Sequence, residues 1–270
     1  MRKSMMAVAA VVGLSGFAGL TQDAEPEARQ SKDFEWRGKI AQGDVIEIKG
    51  VNGSVDASFT SGDEVEVRAS KVEHRRGNAE DVVIEVVEHA NGVTICAVYP
   101  HRDRDRANTC EPGHNGHNNI KNNDVKVNFV VLVPAGVRFA GNTVNGDVAA
   151  KGLRADARVS TVNGDARVET TGLAEASTVN GSVYASFGRA DWSRELDFST
   201  VNGSVTVEMP NGTNAHVSAN TVNGSLESDF PLTVTGRFGN RRMRGTIGSG
   251  DGGELSLSTV NGSIKLRRRG

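Results

Sequence analysis

The tripeptide Val-Asn-Gly occurs seven times in this chain, at 51–53, 144–146, 162–164, 179–181, 201–203, 222–224 and 260–262. From the second copy onward the spacings are 18, 17, 22, 21 and 38 residues. Such repetition restricts a chain to one small unit stacked on itself. Helical repeats need about 33 residues or more and propeller blades about 40, so neither fits. Leucine-rich repeats match in length, but their fixed Leu positions are missing. The units alternate instead: Val201, Gly203, Val205 and Val207 fall on one parity, Asn202, Ser204, Thr206 and Glu208 on the other. That period of two marks strands with one face buried.

A Gly-marked reversal follows each run, at Gly152, Gly172, Gly188 and Asn211-Gly212, and then a second short run such as Ala215, Val217 and Ala219. Two or three short strands per turn form a coil. Stacked coils give an all-β, β-helix-like solenoid with rungs of 17–22 residues, about 4.8 Å apart. The 38-residue gap is expected to hold a degenerate rung at Thr246-Ile247-Gly248.

The repeated residues then acquire folding roles. Val of the inward parity, including the tripeptide Val and Val55, Val148, Val183 and Val205, is expected to stack rung upon rung. Asn52, Asn145, Asn163, Asn180, Asn202, Asn223 and Asn261 are expected to bond amide to amide along the axis. Gly53, Gly146, Gly164, Gly181, Gly203, Gly224 and Gly262 either allow positive φ at a corner or let neighbouring backbones approach; corner and straight strand both stay open. Ala149, Ala155, Ala157, Ala166, Ala174 and Ala176 imply a narrow interior, consistent with 5% aromatic residues. The Asn-Gly-Ser glycosylation pattern at five of these sites follows from the repeat itself.

Outside the repeats, Arg2 and Lys3 precede an uncharged run from Met5 to Leu20. This reads as a secretory signal peptide over 1–20, since a spanning helix needs about 20 predominantly apolar residues; a retained anchor is the alternative. Residues 21–33 read as a disordered leader, 34–140 as a less regular β segment and 141–270 as the regular solenoid. The chain is thus expected to be exported, to the periplasm or the cell surface, with no transmembrane span once processed. In an oxidising compartment Cys96 and Cys110 are expected to pair. The alternative is a metal site using Cys110, His114, His117 and His101, but no known zinc spacing is met. No metal and no cofactor is called for.

The Thr-Val-Asn-Gly-Ser-Val and Thr-Val-Asn-Gly-Asp-Val rungs resemble the bacterial putative-adhesin family, a β-strand-repeat domain of unknown function in exported proteins. The similarity extends over about residues 40–270. It includes Val133-Pro134-Ala135-Gly136, the closing run at 258–266, and the Cys96 and Cys110 pair around Tyr99-Pro100. The resemblance implies an architecture and carries no catalytic positions.

Two functions are compatible with the residues. The first is a non-enzymatic, adhesin-like binding or scaffolding module whose partner is an envelope polysaccharide or a surface protein. The second is a polysaccharide-active enzyme using carboxylates at Asp191, Glu195 and Asp197, because acid/base chemistry needs two carboxyls at a defined separation. Eight basic residues stand between 236 and 270, namely Arg237, Arg241, Arg242, Arg244, Lys265, Arg267, Arg268 and Arg269, against Asp251 and Glu254. They suit either contact with anionic polymers or protection of an open sheet edge. Nucleic acid is excluded as a partner by the formal charge of −2 and the scarcity of aromatic side chains for stacking bases.

Overall fold

Two sheets, of ten and eleven strands, share one continuous apolar core in the computed structural model of the chain. The structure describes residues 34–101, 107–113, 120, 123–235 and 241–269. The expected signal peptide, the leader, His114, His117 and Arg237 lie outside them.

Each rung contributes one strand to each sheet. In the Asn163 rung, Ala157–Ser160 lies in the eleven-stranded sheet and Ala166–Thr170 in the ten-stranded one. Both pair in parallel with the neighbouring rungs, Ala157 opposite Phe139 and Ala174, and Ala166 opposite Val148 and Val183. One rung cannot bury its own apolar face. Stacking buries Val55, Val148, Ala166, Val183, Val205 and Ile264 as one inward column. The chain is therefore a two-sheet β-solenoid.

Spatial order departs from sequence order at both ends. The Asn52 rung, Val45–Lys49 with Val55–Thr60, lies inside a rung made of Gly92–Val98 and Lys126–Pro134. At the other end the Asn261 rung, Glu254–Asn261 with Ile264–Arg268, sits between the Asn202 and Asn223 rungs. Thus the 38-residue gap holds no degenerate rung. Arg241–Ile247 instead runs antiparallel beside Ala215–Asn223, and Gly248, with φ +68°, turns the chain back. Lacking the Asn, this segment has no side chain with which to extend the amide column.

Antiparallel strands close the stack. Val83–His89 covers Gly92–Val98, while Val65–Val72 and Phe34–Gly38 extend the other sheet beyond Lys126–Pro134. Thr233–Thr235 lies outside Arg241–Ile247. The ten-stranded sheet ends on Leu226–Ser228, and a three-residue strand offers little template for further pairing. Residues on either side of 140 are joined by pairing of Val45–Lys49 with Arg138–Asn142 and of Val55–Thr60 with Val148–Leu153, so the sheets pass through that position unbroken. The only helical turn among the described residues is Ala79–Asp81.

The tripeptide Val corrects the inward assignment made from alternation. Val51 is buried, but Val144, Val162, Val179, Val201, Val222 and Val260 are 37–41% exposed. The corner breaks the strand parity, and the preceding Thr points inward instead. Ala149 and Ala155 are likewise half-exposed, whereas Ala157, Ala166, Ala174 and Ala176 are buried.

Candidate functional site

Each coil turns twice, and the two corners differ. The first leads from the eleven-stranded to the ten-stranded sheet and carries Thr-Val-Asn-Gly. Thr143, Thr161, Thr178, Thr200, Thr221 and Thr259 are buried there. Their hydroxyls donate to the Gly carbonyls of the adjacent rung: Thr161 to Gly146 at 2.8 Å, Thr178 to Gly164 at 2.9 Å, Thr200 to Gly181 at 2.8 Å. On the outside, each Asn Nδ2 donates to the Oδ1 of its neighbour at 2.8 Å, in the unbroken order 223, 261, 202, 180, 163, 145, 52. The glycines act in both ways left open by the sequence. Gly164 has φ +152°, and a Cβ there would overlap the Gly146 carbonyl oxygen. This corner's polar groups are used in holding rungs together, leaving a ridge of Val and Asn outside.

The second corner returns the chain to the eleven-stranded sheet and changes from rung to rung. Its connections are 154–156, 171–173, 187–195 and 210–214. The longest is anchored by Trp192, which is buried, meets Phe187 edge-on at 5.6 Å and donates Nε1 to the Glu254 carbonyl at 3.3 Å. Phe187 in turn stacks on Phe198 at 6.2 Å. That plug holds Arg194 against Glu175.

Beside the plug lies a cavity of about 270 Å³, lined by Val45, Phe139, Ala140 and Ala157 and by Arg138, Arg158, Arg194, Asp156 and Glu175. Ala140 explains the space. It stands opposite both Glu47 and Arg158 in the sheet, and its methyl leaves a notch between two longer side chains. Arg138 donates Nε to the Gly43 carbonyl at 2.5 Å. Arg158 Nε lies 3.7 Å from Glu175 Oε2, and Arg189 lies 3.9 Å from Asp156, whose Oδ1 accepts the Leu173 N–H at 2.9 Å.

The carboxylates singled out from sequence do not line this cavity. Asp191, Glu195 and Asp197 are exposed, and Asp197 accepts a hydrogen bond from Ser199 Oγ at 2.8 Å. Cys96 and Cys110 form a disulfide with Cα atoms 5.6 Å apart. It ties down the segment in which Gly113 N–H donates to Glu47. Tyr99, just past Cys96, donates its hydroxyl to the Val125 carbonyl at 2.7 Å, and burial pushes its pKa up. Among the described residues no group of three His, Cys, Asp or Glu side chains could hold a metal ion, and no helix is long and apolar enough to cross a membrane.

Part of the basic C-terminal charge is neutralised locally. Arg267 pairs with Glu227 at 2.6 Å and Asp229 at 3.0 Å. The Arg268 N–H and the Arg267 guanidinium hold the Asp229 carboxyl below its usual range.

Sequence reasoning missed two features. The Thr column had a signal, since Thr precedes six of the seven tripeptides. The arginine-lined cavity had none, because Arg138, Asp156, Arg158, Glu175 and Arg194 belong to four rungs and meet only through the sheet register.

No curated protein matches the chain. Among solved structures it is similar to a putative cell adhesion protein from Clostridium sporogenes ATCC 15579, at 10% identity and TM-score 0.45, covering 88% of this chain and 100% of that one. It is also similar to a putative adhesin from Bacteroides fragilis NCTC 9343, at 13% identity and TM-score 0.30, covering 87% and 97%. The Toastrack DUF4097 family model matches residues 44–267, and the chain belongs to that family.

Proposed function

We propose that the protein is an exported, non-enzymatic binding module of the cell envelope, adhesin-like in that a rigid rod presents side chains to a polymer or surface protein. The observation that supports this reading is the division between corners. One is taken up by inter-rung bonds, whereas the other varies in length and, together with the first residues of the strands that follow it, places charged side chains around an open cavity. Variable loops on a rigid scaffold are the usual place for recognition.

The test is a retention screen of the purified protein on envelope polysaccharides and on intact cells, with cell fractionation to place it. Saturable retention that survives without turnover of the polymer is the expected result. Depolymerisation that disappears in Asp191→Ala and Glu195→Ala variants would replace binding by catalysis.

A further inference from the structure

We infer that the cavity over Ala140 is a subsite for a carboxylate-bearing sugar residue, so that the polymer bound is an acidic polysaccharide. This rests on the binding-module reading and specifies its ligand class.

Charge is the first ground. Three arginines, Arg138, Arg158 and Arg194, line the cavity against two carboxylates, Asp156 and Glu175. Both carboxylates are engaged: Glu175 by Arg158 and Arg194, Asp156 by Arg189 and the Leu173 N–H. A guanidinium carries five N–H donors in a rigid fork, and Arg138 uses its Nε on a backbone carbonyl, which orients the rest of the fork. A planar carboxylate is the group such a fork accepts in bidentate fashion.

Shape and lining are the second ground. Val45 and Ala140 contribute apolar side chains to the wall, beside the backbone of Phe139 and Ala157, whose side chains are buried in the core, so the cavity pairs a small apolar surface with cationic groups. A sugar ring presents C–H groups beside its carboxylate and matches both. A volume of about 270 Å³ is just under the roughly 300–1,000 Å³ of sites for drug-sized ligands, which suits a single residue of a longer chain. Position is the third ground. Arg138 stands two residues before Ala140 on the same strand and Arg158 directly opposite Ala140 on the neighbouring one, both on the outward face of a sheet that fixes their spacing. The notch depends on Ala140 being small.

The experiment measures retention of the purified protein on immobilised polygalacturonate, on the same polymer after reduction of its carboxyl groups, and on inorganic polyphosphate. The expected result is saturable binding to polygalacturonate that falls at least about tenfold on carboxyl reduction and about tenfold in Arg138→Ala or Arg158→Ala. Arg158→Lys should restore part of the loss if charge is the recognised property. Ala140→Gln, which fills the notch without changing charge, should also lose binding, and unchanged thermal midpoints would show that each variant folds. Equal retention on native and reduced polymer would overturn the carboxylate inference while leaving the binding module standing. Polyphosphate binding as tight as polygalacturonate binding would overturn the sugar-acid assignment. Absence of retention on all three would overturn the inference, and the screen on intact cells would then decide the broader reading.

Discussion

At the Thr-Val-Asn-Gly corner the connecting segments are 143–147, 161–165, 178–182 and 200–204, all of one length. At the opposite corner of the same coils they are 154–156, 171–173, 187–195 and 210–214. The difference follows from how each corner is bonded. Through six successive steps, every Asn amide between the end residues Asn223 and Asn52 touches its equivalents above and below, so an insertion in any of those rungs would break the column on both sides. Bonds at the second corner join neighbouring rungs individually, such as Leu173 N–H to Asp156 or Gly188 N–H to the Gly172 carbonyl. A longer loop there disturbs one interface, and Trp192 supplies its own burial. Repetition is thus confined to where rungs must match, and chemical variety collects where they need not.

Glycine substitutions sharpen this contrast most. Gly164→Ala would drive a methyl into the Gly146 carbonyl, and a loss above about 3 kcal/mol is expected in denaturant unfolding. Gly152→Ala at the opposite corner meets only open space at φ +64°, so about 1–2 kcal/mol is expected. Equal losses would abolish the distinction between corners.

Thr200→Val comes next. It keeps the shape but leaves the Gly181 carbonyl without its hydroxyl donor, at an expected cost of about 1–2 kcal/mol in the same assay. Asn202→Ala removes two ladder bonds, to Asn180 and from Asn261. Because these amides are exposed and water replaces the partner, about 1 kcal/mol is expected. A Thr200→Val protein with a wild-type midpoint would make the buried hydroxyl column dispensable.

The smallest effect concerns pH at the C-terminal end. Asp229 has a folded pKa below its ordinary value of 3.8, chiefly from the Arg268 N–H and then the Arg267 side chain. Its contribution is fully present above the ordinary value and is lost as pH falls from there through the lowered one. Asp229→Asn should therefore melt slightly below wild type at neutral pH, and the gap should close by about pH 2. A gap unchanged across that range would remove the carboxylate from the account.

Much of the scaffold is legible in the sequence because it is written as repetition. Identical residues at a fixed phase must stack, which yields the rung, the Asn column and the close approach at Gly. The failures have definite causes. Alternation placed Val201 inward because a two-residue period assumes an unbroken strand, and the positive φ of Gly203, +155°, resets the parity at the corner. The degenerate rung expected in the 38-residue gap assumes that rungs stack in sequence order, yet identical rungs can stack in any order that the connections reach. The segment ending in Ile247 supplies a connection long enough for the Asn261 rung to slot between Asn202 and Asn223. On the strands that follow the variable corner, Arg138 and Arg158 share no motif, and only the pairing of Arg158 with Ala140 brings them near each other.

Amide hydrogen exchange of the free protein tests the division between corners most directly. The Asn and Gly amides of the first corner donate across rungs, as Gly146 does to Asn163, Gly164 to Asn180, Gly181 to Asn202 and Gly203 to Asn261. They are predicted to exchange only on global unfolding, whereas amides of 189–195 exchange through local opening at least about a hundredfold faster. Matching protection at both corners, or faster exchange at Asn163, Asn180 and Asn202 than at 189–195, would contradict the account.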